Sequence, residues 1–124
     1  MLFKRRDIKL VISTIVLSGI ISCKGTPPYL KINSPSKEQI FIAPEIITVS
    51  IDMSDPDLLL GKVLFVTKEN AMHDTIINYR DNDNVKNANL LKTFTSEAGT
   101  RYKILVTIFG SDYTKSDSLF VSAN

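Results

Sequence analysis

Tryptophan is missing from the 124 residues, and cysteine and histidine occur once each, as Cys23 and His73. A single cysteine cannot pair within the chain, which excludes a disulfide scaffold. One histidine and one thiol fall short of the three or four ligands that a zinc site takes. Glycine and proline number only five each, too few for a collagen-like or low-complexity chain. An excess of one charge sign is also missing, with 15 Lys+Arg against 13 Asp+Glu. Hydrophobic residues make up 44% and charged residues 23%, a balance that excludes intrinsic disorder. At roughly 100–150 residues per domain, the chain holds one small domain.

The longest uncharged apolar run, Leu10 to Ile21, counts 12 residues. A permanent span needs about 20 to cross about 30 Å of hydrocarbon. The run follows a basic segment that contains Lys4, Arg5, Arg6 and Lys9. A basic n-region and a short apolar h-region make a cleaved helical signal peptide, with the bases held on the cytoplasmic side.

The h-region ends in Ile20-Ile21-Ser22-Cys23. This tetrad resembles the lipobox of bacterial lipoproteins, with an aliphatic residue three before the cysteine and a small residue just before it. The resemblance implies cleavage between Ser22 and Cys23 and a diacylglycerol on the Cys23 sulfur, with no other cofactor. Lys24 stands where the family's usual inner-membrane retention signal is Asp, which favours the outer membrane, facing the periplasm or the exterior. Several acyl chains anchor a protein firmly, since each buried CH₂ is worth about 0.8 kcal/mol. Removing residues 1–22 takes away four bases and one acid (Asp7), leaving 11 basic against 12 acidic residues. No basic footprint for nucleic acid survives.

Residues 23–28 form the lipidated cysteine and a short tether, which Pro27-Pro28 keep out of a helix. Residues 29–124 read as short strands between regular turn signals. Ile47, Val49, Ile51 and Met53 alternate with polar residues, as do Tyr102, Ile104, Val106 and Ile108. Val63 to Thr67 is a buried-looking strand. Tyr29 to Asn33, Asp74 to Tyr79, Asn89 to Phe94 and Ser118 to Ser122 complete seven, with no helix. Seven short strands in about 100 residues predict an all-β, immunoglobulin-like β-sandwich.

Motifs along the same stretch point the same way. Pro27-Pro28-Tyr29-Leu30-Lys31-Ile32-Asn33-Ser34-Pro35, the Ser54-Asp55-Pro56-Asp57 turn, Val63-Leu64-Phe65 and Ala98-Gly99-Thr100-Arg101-Tyr102 resemble the corresponding segments of bacterial Ig-like domains. The resemblance implies the fold and no activity. It departs from the family between Glu69 and Asn89, where a compact hairpin is usual, so strand order there stays open.

The chain offers little for catalysis. His73 stands alone, no nucleophile elbow is present, and Cys23 is committed to lipid, so no enzyme is expected. Asp81-x-Asp83 begins like an EF-hand loop but places Lys86 where Gly is required. Asp52, Asp55, Asp57 and Asp112 lie on two turns expected at one end of the sandwich, so calcium is the alternative to ordinary turn chemistry, which is favoured. Tyr102 resembles the tyrosine corner, a structural role. Taking Val63 and Phe65 as inward places Leu64 and Val66 outward beside Leu105 and Phe109, an apolar patch for a protein partner in the envelope. Tyr29, Tyr79 and Tyr113 lie on separate segments, a poor platform for sugars. The reading that results is a non-catalytic binding module on a lipid anchor. A carbohydrate-binding accessory protein and a calcium-stabilised spacer are the alternatives.

Overall fold

The computed structural model describes residues 26–70 and 72–124, and no helix occurs among them. Seven strands follow one another: β1 (Tyr29–Ser34), β2 (Ile40–Phe41), β3 (Ile46–Lys68), β4 (Thr75–Asp81), β5 (Val85–Thr95), β6 (Thr100–Gly110) and β7 (Thr114–Ala123). Residues 1–22, expected to be a signal peptide, and Cys23 lie outside the described residues.

β3 is the organising element, because its 23 residues serve two layers. Its first half pairs antiparallel with β1 and β5, from Ile32↔Ile51 to Ile46↔Thr95. Its second half pairs with β4 and β6, through Leu64↔Tyr79 and Leu64↔Val106. β7 adds to β6, and the two-residue β2 runs parallel to the end of β7. The layers are therefore β1–β3–β5 and β4–β3–β6–β7–β2, the immunoglobulin-like sandwich that the sequence predicts.

The two segments expected as separate second and third strands are one strand, and Ser54-Asp55-Pro56-Asp57 is a kink within it. Asp55 turns its carboxylate inward, where Oδ1 accepts a hydrogen bond from Asp57 N at 2.9 Å. Leu58 follows at φ 116°, a conformation a branched side chain adopts only under local constraint. Leu59 then pairs with Gly110 and Gly61 with Phe109, so Leu60 is an extra, bulged residue. A one-residue bulge moves every later side chain to the opposite face. Inward positions are thus odd before the bulge (Ile47, Val49, Ile51, Met53) and even after it (Leu64, Val66), all buried.

Tyr102, Ile104, Val106 and Ile108 of β6 face them, with Leu90 and Phe94 of β5 and Leu119 and Val121 of β7. The rings of Phe94 and Tyr102 meet edge to face across the layers at 4.9 Å. Each fully buried aliphatic or aromatic side chain here is worth about 1.5–3 kcal/mol. The stretch from Glu69 to Asn89, whose order the sequence leaves open, is a tight turn, then β4 on one layer, then the crossing to β5 on the other.

Candidate functional site

The outer face of the β4–β3–β6–β7 layer is built from cross-strand rows. Arg80, Val63, Thr107 and Ser116 form one row, and Asn78, Phe65, Leu105 and Ser118 the next. Thr67, Lys103 and Phe120 lie on one side, and Gly61, Phe109 and Thr114 on the other. Antiparallel neighbours in a row point to the same side, and diagonal neighbours lie about 7–8 Å apart, within reach of aromatic side chains. Phe109, Val63, Phe65, Leu105 and Phe120 therefore form one apolar strip.

Two of the four residues expected in that patch belong to it. Leu105 is half-buried and Phe109 is 38% exposed. The other two do not: Leu64 and Val66 are both 0% exposed and lie in the core. The bulge at Leu60 reverses the phase of β3, so Phe65 and Val63 take the outward places, Phe65 half-buried and Val63 only 7% exposed. Phe120 is a further member, and its place opposite Lys103 is set by the register of β7.

These rows hold two bases, Arg80 and Lys103, and no acid. Lys103 Nζ and the Arg101 guanidinium lie 5.9 and 4.6 Å from the centre of the Phe120 ring. At the rim, Glu38 accepts two hydrogen bonds from Arg101, at 2.9 and 3.0 Å. That fork holds the Glu38 carboxyl below its ordinary pKa.

A second polar group closes the open side of the sandwich. Lys62, on the inward face after the bulge, is 6% exposed and reaches Asp81 at 3.0 Å. Tyr79 donates its hydroxyl to Asp81 Oδ2 at 3.1 Å, and Lys92 of β5 lies 4.3 Å over the Tyr79 ring. The Lys62 bond, then Asp83 N, hold the Asp81 carboxyl below its ordinary pKa, while burial and then the bond to Asp81 push the Tyr79 hydroxyl up. Asp81 is therefore a structural counter-charge, bonded to Lys62 and to Asp83 N.

Of the four carboxylates weighed for calcium, Asp52 is set apart from the other three. Asp52 lies on the outer face of the other layer and accepts from Asn33 Nδ2 and Asn89 Nδ2, both at 2.8 Å. Asp55 is inward beside Gly110, bonded to Asp57 N, so these two turns do share one end. Among the described residues no three His, Cys, Asp or Glu side chains are grouped to hold a metal ion. His73 is an exposed turn residue at φ 48°, with Nδ1 3.8 Å from Glu69. Tyr102 forms the tyrosine corner: its fully buried hydroxyl accepts a hydrogen bond from Glu97 N at 2.8 Å. Cys23 and Ser22 lie outside the described residues.

A groove of about 440 Å³ marks the outer face of β1–β3–β5, lined by Tyr29, Asp52, Ser54, Asn87 and Asn89 among others. It is formed by side chains that the sequence separates by up to 60 positions, so no local motif announces it.

No family model matches the chain, and no curated protein does. Among solved structures, the chain resembles the fibronectin(III)-like modules of Clostridium thermocellum CbhA, with a TM-score of 0.50 and 16% identity. That match covers 77% of this chain and 47% of the other, so the chain spans about half its length. A second likeness is to a beta-glucosidase from Listeria innocua solved with gluconolactone, at 12% identity, TM-score 0.44, 77% of this chain and 16% of that one. At 16% identity the first likeness shows the fold alone, a fibronectin III-like β-sandwich.

Proposed function

We propose that the chain is an envelope-anchored lipoprotein, tethered through Cys23, whose sandwich is a non-catalytic interaction module. Its binding surface is the outer face of β4–β3–β6–β7, and its partner is an envelope protein with acidic and apolar side chains. One observation carries this reading: Phe65, Leu105, Phe109 and Phe120, partly exposed around the buried Val63, run together across rows whose charges, Arg80 and Lys103, are basic. Contiguous exposed apolar surface marks interaction sites, and apolar centres with charged surrounds give affinity and steering respectively. The tetrad ending in Cys23 supports the anchor, and Lys24 supports the outer membrane.

Two experiments test it. Protease shaving of intact cells carrying a tagged chain, beside a Cys23→Ser version and with acyl labelling of the wild type, reads the anchor and the side it faces. Absence of acyl label on the wild type sinks the lipoprotein reading. A photo-crosslinker placed at Leu105 in living cells captures the partner, and one at Asn87, on the opposite face, does not. Identical adducts from both positions would count against the surface.

A further inference from the structure

The groove on the opposite layer has its own chemistry, independent of the anchor and of the face proposed above. Two cross-strand rows build it. Tyr29, Ser54 and Asn87 lie abreast on β1, β3 and β5, and Lys31, Asp52 and Asn89 form the adjacent row. Asp52 precedes the kink of β3 and Ser54 opens it, and the three strands keep register across both rows, which form one platform. Strands lie about 4.8 Å apart and rows about 6.6–6.8 Å apart, giving an area close to that of two linked sugar rings.

The second row is held in place before any ligand arrives. Asp52 accepts an amide hydrogen bond on each oxygen, from Asn33 and from Asn89, which leaves the Asn89 carbonyl on the side away from the carboxylate. The first row is open. Tyr29 is 51% exposed, and Tyr29, Ser54 and Asn87 make no side-chain hydrogen bond to another described residue. The platform therefore presents a phenol ring, a hydroxyl, a free amide and a fixed carboxylate. Asp52 is the one charged residue lining the groove, and Lys31 stands beside it in the same cross-strand row.

A fixed set of planar amide and carboxylate groups beside an exposed ring matches a molecule with many hydroxyls in fixed directions and an apolar C–H face. Anions are poorly served, since Asp52 occupies the centre. A protein segment is poorly served as well, since besides the Tyr29 ring the apolar lining is only Met53, 2% exposed, and the small Ala88. We infer that this groove binds a neutral oligosaccharide, with one sugar ring stacked on Tyr29 and its neighbour hydrogen-bonded by Asn87, Asp52 and Asn89. Amides and carboxylates so immobilised lose little entropy on binding, which is how small wet sites gain affinity.

The test is saturation-transfer NMR on the full chain in a sugar-free detergent, with cellohexaose, xylohexaose, chitohexaose and maltohexaose at millimolar concentration. At least one gives transfer to its ring protons. The double variant Tyr29→Ala with Asn87→Ala loses it at least tenfold, while Met72→Ala, in the exposed turn before β4, keeps it. In the wild type, titration with that sugar moves the Asn87 and Asn89 side-chain amide resonances. Absence of transfer from all four sugars, transfer that survives the double variant, or resonance shifts confined to Leu105 and Phe109 would each overturn the inference.

Discussion

The carboxylate of Asp55 fills the space beside Gly110 in which any other residue would place its Cβ. The contact joins the kink of β3 to the end of β6, and Gly110 N donates to Tyr113 O at 2.7 Å in the turn that follows. A methyl group there must displace buried Asp55, which is itself tied to Asp57 N. Gly110→Ala is expected to cost about 1–3 kcal/mol, the usual range for overpacking. Gly99→Ala adds a methyl into open space but at φ 73°, so its cost is backbone strain alone, of order 1 kcal/mol. Urea denaturation of both variants checks the order; a Gly110→Ala protein as stable as wild type would show that the Asp55 contact is absent in solution.

Tyr102→Phe keeps the ring against Phe94 and removes the acceptor for Glu97 N. The amide is left without its partner, a loss expected to destabilise the fold by about 1–3 kcal/mol. Amide hydrogen exchange at Glu97 should accelerate more than exchange in the centre of β6. Equal acceleration throughout would mean that the hydroxyl acts on the whole fold and not on the corner.

The reversed phase of β3 makes a paired prediction. Leu64→Ala opens a cavity in the core and is expected to cost about 2–5 kcal/mol. Leu105→Ser removes a half-buried side chain from the outer strip and is expected to cost under about 1.5 kcal/mol. Thermal melting of the two variants decides it, and equal losses would mean that Leu105 is as deeply packed as Leu64 and that the outer strip does not face solvent.

Much of the fold is legible in the sequence because β6 and the first half of β3 alternate cleanly. Tyr102, Ile104, Val106 and Ile108 define their inner face without help from any other strand. The second half of β3 is different. Val63, Leu64, Phe65 and Val66 are apolar on both faces, so period two supplies no phase, and extending the odd frame of Ile47 to Met53 places Leu64 and Val66 outside. The frame is reset by the extra residue Leu60, and only the pairing of Leu64 with Val106 reveals it. Lys62 is a signal that sequence reasoning passes over: its charge at an inward position is explained only by Asp81, 19 residues on. The outer strip and the groove beside Tyr29 are tertiary. Tyr29, Asp52 and Asn89 meet only through the register of three strands.

The Lys62–Asp81 pair gives the fold a dependence on acid. Lys62 holds Asp81 below its ordinary pKa, so the folded state keeps this carboxylate charged to lower pH than the unfolded chain does. A carboxyl with a depressed folded pKa contributes stability that is complete above the unfolded value, about 3.9, and is lost as pH falls through the folded value. The wild type is therefore expected to exceed Asp81→Asn in urea midpoint at pH 7 and pH 5, with the gap closing between pH 4 and pH 2. The two ends of the pair are not equivalent. Asp81→Asn leaves the nearly inaccessible Lys62 ammonium without its counter-charge, whereas Lys62→Met leaves an Asp81 whose side chain is 20% exposed and can be hydrated. Asp81→Asn should thus be the more damaging single change, and Lys62→Met combined with Asp81→Asn should recover most of the loss. A gap that stays constant down to pH 2 would assign the effect to packing and not to charge. A double variant no better than Asp81→Asn would show that the ammonium already reaches water in the folded protein.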